Sequence, residues 1–322
     1  MLRYCLKRLI YAVILLAAVL TINFFLIHIS PGDPVQTLAG DMGGMTEQLR
    51  QELIHKFGLD QPFIVQLGIY LGNVLHGDLG HSYYFNASVV SLIWERVPAT
   101  LLLVLVSVSL AFIVGTLMGT LAARRPNGWF SQFVTVLAMV GYSAPVFWTG
   151  IVLIIMFASV WPILPVSDMT TAGLDAHGLA HIVDVLKHLV LPAFTLAFVY
   201  LAIYSRLARS SMIETLSSDY IRTARAKGLS EFVVLYKHAL RNSILPVVTI
   251  LGLQFGNVLA GAILVETVFN WPGLGRLAYD SVLRRDYPTL LGLLFFASLM
   301  VIIMNQVTDL VYRFIDPRIK TS

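Results

Sequence analysis

Long apolar stretches alternate along this chain with shorter polar ones. Six stretches are predominantly apolar for about 20 residues, the length an α-helix needs to cross a hydrocarbon core about 30 Å thick. They fall at 9–29, 99–122, 133–160, 189–207, 244–268 and 289–311. Arg96 and Arg124 bracket the second, Pro145 lies inside the third, and Asp309 sits near the end of the sixth. The first is longer than the apolar run of about 7–15 residues in a cleaved signal, and no small-x-small site follows it. It reads as a retained anchor. The pattern predicts an all-α membrane protein of six transmembrane helices.

The polar stretches set the orientation. With the amino terminus in the cytoplasm, 15 of the 22 Lys and Arg residues fall on the cytoplasmic side. That bias puts both termini inside. The resulting division is a cytoplasmic start at 1–8, a helix at 9–29, an extracytoplasmic region at 30–98 and a core membrane domain at 99–322. The outer region opens on the turn residues Pro31-Gly32-Asp33-Pro34. A short helix follows at 46–57, capped by Thr46, and an amphipathic piece at 61–75. Together they read as a folded cap. The outer stretch 161–188 carries Asp175, His177, His181 and His188. Histidines at i and i+4 share a helix face, a geometry used for metal. The Glu of a metalloprotease His-Glu-x-x-His is missing, and ordinary exposed histidines are the simpler reading. No metal site is assigned.

The cytoplasmic loop 210–243 is dense in charge. Residues 220–229, YIRTARAKGL, form a good helix with Gly228 near its end, and 231–240, EFVVLYKHAL, form a second amphipathic piece. Two short basic helices there either rest on anionic lipid or dock a cytoplasmic protein. The residues alone leave both readings open.

Composition then narrows the class. Of 322 residues, 57% are hydrophobic and 12% charged, against about 25% charged in an ordinary soluble domain. The mean hydropathy is +0.78. Disorder is excluded, since it needs low hydrophobicity and high net charge. A lone Cys5 excludes a disulfide scaffold. The net charge of +4 is a topology signal rather than a sign of nucleic acid. No Gly-Lys dipeptide exists to build a phosphate-binding loop, and neither a nucleophile elbow nor another catalytic constellation occurs. No catalytic residue is assigned. Polar residues inside spans carry functional hypotheses by default. Tyr142, Gln254, Asn257 and Glu266 are candidates for a translocation path or gate, with helix–helix hydrogen bonding as the simpler alternative. Gly115-x-x-x-Gly119 and Gly252-x-x-x-Gly256 permit close helix approach.

The loop also carries a resemblance. The run from Asp219 to Leu229, with His238-Ala239-Leu240-Arg241-Asn242 and Leu245-Pro246, closely resembles inner-membrane permease subunits of binding-protein-dependent ABC importers. The branch it looks like is the dipeptide/oligopeptide/nickel one. Matching motifs run nearly end to end. They include Gly77-Asp78-Leu79-Gly80, Arg96-Val97-Pro98-Ala99-Thr100, Pro145-Val146-Phe147-Trp148, Glu266-Thr267-Val268-Phe269, Trp271-Pro272-Gly273-Leu274-Gly275, Arg285-Asp286-Tyr287-Pro288 and Asp316-Pro317-Arg318. The general signature of the loop is Glu-Ala-Ala-x3-Gly-x9-Ile-x-Leu-Pro. This chain keeps Ala224, Gly228 and Leu240, but has Arg222, Thr223, His238 and Arg241 at the other signature positions.

The resemblance implies a type I importer permease fold in a bacterial inner membrane. It implies half of a translocation pathway for di- or oligopeptides, with nickel, glutathione or another small solute as the alternative cargo. A stand-alone secondary transporter fits less well, because no internal repeat is visible. The implied partners are a second, homologous permease, two cytoplasmic ATPases that bind ATP and Mg, and an extracytoplasmic solute-binding protein. The chain would hold no cofactor of its own. The implied coupling residues are Arg222, Thr223, Ala224, Arg225, Ala226, Lys227, Gly228 and Leu229, with small Ala224 and Ala226 allowing close approach to an ATPase.

Overall fold

The computed structural model describes residues 2–29, 48, 51, 61–82, 84–174, 177–253 and 255–315, with side chains left undescribed at 2–9, 26–28, 252–261 and 307–315. The expected turn at 31–34 and most of the expected helix at 46–57 lie outside these residues. The described chain is mainly helical. In order it forms α1 (Leu2–Ile29), α2 (Phe63–Leu75), a hairpin of β1 (His81–Ser82) and β2 (Ala87–Ser88), α3 (Val89–Arg124), α4 (Trp129–Ser143) and α5 (Val146–Ile154). Then follow α6 (Leu179–Leu216), α7 (Asp219–Ala226), α8 (Glu231–Val233), α9 (Leu240–Leu253), α10 (Phe255–Val268), α11 (Leu274–Arg284) and α12 (Tyr287–Ile315). Wider π-helical turns extend α5 through Ile155–Val160 and join α8 to α9 through Val234–Ala239.

Among the described residues three helices are long and apolar enough to cross a membrane, namely Val89–Arg124, Leu179–Leu216 and Tyr287–Gln306. The predicted span at 133–160 is not one straight helix. It breaks between Ser143 and Val146 and bends by 107°. Pro145 has no N–H to continue the ladder and forces Ala144 into extended backbone, at φ −76 and ψ 129. Counted as one broken span, the pair makes a fourth. The predicted span at 244–268 is two helices of 14 residues each, α9 and α10. The helix that holds the predicted span at 99–122 starts earlier, at Val89, and takes Pro98 into its interior.

The chain forms two compact units, one of 1–98 with 276–303 and one of 99–275 with 304–322. In the first unit, Phe24 of α1 lies 5.4 Å from the rings of both Phe63 and Tyr70 of α2. The Ser82 hydroxyl donates to Asp286 Oδ2 at 2.5 Å, and Thr289 donates to the same oxygen at 2.6 Å. This buried knot joins the β-hairpin to the start of α12. Arg284 lies over the Tyr84 ring at 4.7 Å.

The second unit is built on α6, against which α4, α5, α9 and α10 all pack. Leu103, Val104, Leu196, Tyr204, Val247, Val265 and Trp271 fill its core. Small residues bring backbones together here. A Cβ at Gly119 would collide with the Ser205 carbonyl and the Ala208 methyl. The partner of the Gly115-x-x-x-Gly119 face is thus the chain's own α6. A second, smaller core holds Ala123, Met212, Ile221, Ala224, Val234, Leu235 and Ala239.

Candidate functional site

The basic loop folds onto that smaller core. After α6 ends, Ser218 takes extended backbone and α7 begins, with Asp219 in its first turn, where a carboxylate suits the positive end of the helix dipole. The Thr223 hydroxyl donates to the Asp219 carbonyl at 3.0 Å. After Ala226 the chain turns sharply, with Gly228 at φ +74 and open space where a Cβ would stand. That left-handed backbone is the reason for glycine here.

Alternation around α7 separates its two faces. Ile221 is wholly buried and Ala224 nearly so, packed with Met212, Val234, Leu235 and Ala239. Arg222, Thr223, Arg225, Ala226, Lys227, Gly228 and Leu229 are exposed. The exposed face carries ion pairs of its own, Arg222 with Asp219 at 3.4 Å and Arg225 with Glu231 at 3.0 Å. Phe232 stands beside it, 71% exposed. One expectation changes. Ala224 lets α7 approach its own core, not an outside partner, and Ala226 is the small residue that faces out.

The fastening of α7 reaches two longer helices. Met212 belongs to α6. The Ser243 hydroxyl of α9 contacts the Met212 sulfur at 2.7 Å. Asn242 of α9 donates to the Tyr220 hydroxyl at 2.8 Å. A push on α7 therefore meets the end of α6 and the start of α9 directly, without a flexible linker.

The path candidates have different environments. Glu266 of α10 is wholly buried. Its Oε1 accepts from Thr100 Oγ1 at 2.7 Å, and Thr100 Oγ1 in turn accepts from the Leu274 N–H at 2.8 Å. The Trp271 backbone N–H donates to the Glu266 carbonyl at 2.8 Å, and its indole donates to the Ala99 carbonyl at 2.9 Å. Glu266 is thus a strut that holds the Trp271-Pro272-Gly273 turn against the start of the second unit. Tyr142, near the end of α4, is 65% exposed, with the Arg206 guanidinium 5.7 Å from its ring centre. Gln254 lies outside the described residues, as does the side chain of Asn257.

The shared helix face that the spacing of His177 and His181 allowed is not formed. His177 precedes Gly178, which starts α6, so His177 and His181 do not share a helix face. Asp175 lies outside the described residues. Asp184, absent from the sequence reading, accepts from the Thr171 N–H and hydroxyl, both at 2.8 Å, and lies beside the buried His188. These contacts tie the segment before α6 to that helix. Among the described residues no cluster of three or more His, Cys, Asp or Glu forms a metal cage.

The fold agrees with what is known of similar proteins. Residues 115–321 match the family described as binding-protein-dependent transport system inner membrane component, and residues 1–104 match the amino-terminal region of such membrane components. The chain belongs to this family and is an inner-membrane permease subunit. Among its relatives, the dipeptide transport system permease protein DppB of Escherichia coli K12 is 40% identical over 338 residues, with 99% of each chain covered. The oligopeptide transport system permease protein AppB of Bacillus subtilis is 38% identical, over 98% of this chain and 99% of its own. In fold, a chain of the inward-facing MetNI methionine ABC transporter aligns over 70% of this chain and 97% of its own, with a TM-score of 0.56 at 15% identity.

Proposed function

We propose that this chain is the membrane half of an ATP-driven importer of di- or oligopeptides. It spans the membrane six times with both termini in the cytoplasm, and pairs with a second permease to enclose the path. Two cytoplasmic ATPases carry ATP and Mg, an extracytoplasmic binding protein delivers the peptide, and this chain performs no chemistry itself. Residues 222–229 form the ATPase-coupling element, and Tyr142, Gln254, Asn257 and Glu266 belong to the path or its gate.

The observation that carries the reading is the fastening of α7. Its basic outer face is free to meet a partner, while Ile221 and Ala224 lock its inner face to α6 and α9. Closure of two ATPases, transmitted through α7, would then move the helix on which the second unit is built. Peptide as cargo is supported by the full-length relatives, whose names state dipeptide and oligopeptide transport. The test is purification of the tagged full chain in mild detergent, followed by uptake measurements in liposomes. Two ATPase subunits and a second permease should co-purify, and a labelled dipeptide should enter in an ATP-dependent way when the binding protein is added. Recovery of the chain with neither kind of partner would overturn the proposal.

A further inference from the structure

Arg206 lies in a helix long enough to cross the membrane, yet it makes no ion pair among the described residues. Two contacts fix the register of α4 on α6. Near the start of α4, Ser131 accepts from the Arg209 guanidinium at 2.8 Å, and a second nitrogen of that group donates to the Pro126 carbonyl at 3.1 Å. Nearer the end of α4, Gly141 lies against the backbone of Phe198 and the methyl of Ala202. Arg206 stands one turn from Arg209. Its guanidinium reaches the Tyr142 ring, which lies about 20 Å along α4 from Trp129.

The direction of this reach is unusual. A long basic side chain near a helix end ordinarily stretches toward the membrane surface. Arg209 does so, meeting the polar turn at Pro126. Arg206 extends the other way, along α4 toward Tyr142, following the tilt of helix side chains toward the amino end. Both Arg206 and Tyr142 are exposed on the surface of the chain. A cation on such a helix that faced the lipid interior would cost about 3 kcal/mol, so this face must meet water or a counter-charge. Stacking on Tyr142 leaves the edge of the guanidinium fork free, and that fork suits a carboxylate in a two-point contact. Further along α6, Phe198 and Phe194 stack at 6.1 Å and offer aromatic surface.

We infer that Arg206, held by Tyr142, is a subsite of the translocation path that reads the free carboxylate of the passing peptide. This rests on the peptide-importer reading above. It makes Arg206 a specificity-determining residue and gives Tyr142 the role of positioning it.

The test uses the whole complex in liposomes with its binding protein, and one dipeptide offered at saturating concentration either as the free acid or as its carboxyl-terminal amide. Arg206→Gln should lower uptake of the acid by about tenfold or more, the loss expected for one charge-assisted contact. Uptake of the amide should stay within about twofold of the unaltered complex, and Arg206→Lys should restore part of the acid preference. Equal losses for acid and amide would overturn the inference, as would unchanged uptake of the acid. Loss of the second permease from the Arg206→Gln complex would also overturn it, assigning Arg206 to a subunit contact. If the unaltered complex imports another solute but neither form of peptide, the peptide reading itself falls.

Discussion

Two turns of the second unit show opposite ways of using polar residues. The turn after α7, 227–230, leaves its polar groups in water and is held from beneath by Ile221, Ala224 and Leu235. The turn after α10, 269–273, closes over the buried carboxylate of Glu266 and is held by directed hydrogen bonds through Glu266, Thr100 and Trp271. Both contain a glycine, for unlike reasons. Gly228 supplies a left-handed backbone next to open space, whereas Gly273 supplies room, since a Cβ there would enter the Glu266 carboxylate. An apolar underside leaves charge available for a partner. A buried hydrogen-bonded strut spends its polarity inside the fold, and the same motif-like run of residues then serves architecture.

This contrast predicts a graded series. Gly273→Ala should be the most damaging, because backbone or strut must shift to make room, at a cost of about 3 kcal/mol or more. Little folded protein should survive solubilisation, as read by size-exclusion of a fluorescent fusion; a normal yield and melting temperature would break the comparison. Thr100→Val keeps the side-chain shape but removes the hydroxyl that links Glu266 to the Leu274 N–H. It should lower stability by about 2 kcal/mol, seen as a lower melting temperature of the purified complex. Gly228→Ala should cost about 1–2 kcal/mol from its left-handed backbone alone. That strain lies in an exposed turn, so ATP-dependent uptake should fall more than the melting temperature does. A variant that melts early yet transports normally would show that the turn only stabilises the fold.

Much of the fold was legible because period and length act locally. The apolar stretches at 99–122 and 189–207 lie inside α3 and α6, and the helix expected from 220 to 229 forms over Asp219–Ala226, with Gly228 in the turn that follows. The site was legible in part. The charges of 222–229 could be read as a surface, but which small residue faced outward could not. Ala224 and Ala226 are chemically equal, and only the packing of Ile221 against Met212 orients the helix. His177 and His181 looked paired by spacing until Gly178 started the helix between them. Asp184 and Arg206 gave no signal of their own, since a lone Asp or Arg acquires its role from Thr171 or from Tyr142, far away in sequence.

The sequence by itself determined that the chain lives in a membrane, where its charges cluster along the chain, and to which family its motifs belong. These follow from composition, periodicity and local runs of residues, each of which acts over one or two helical turns. The tertiary structure decided which polar residues are struts and which remain available. It turned Glu266 inward, fastened α7 to α6 and α9, bent the stretch around Pro145, and set Arg206 against Tyr142. Such outcomes depend on contacts between residues far apart in the chain, as when Thr100 meets Glu266. A carboxylate or a guanidinium has no fixed role until the fold chooses its neighbours.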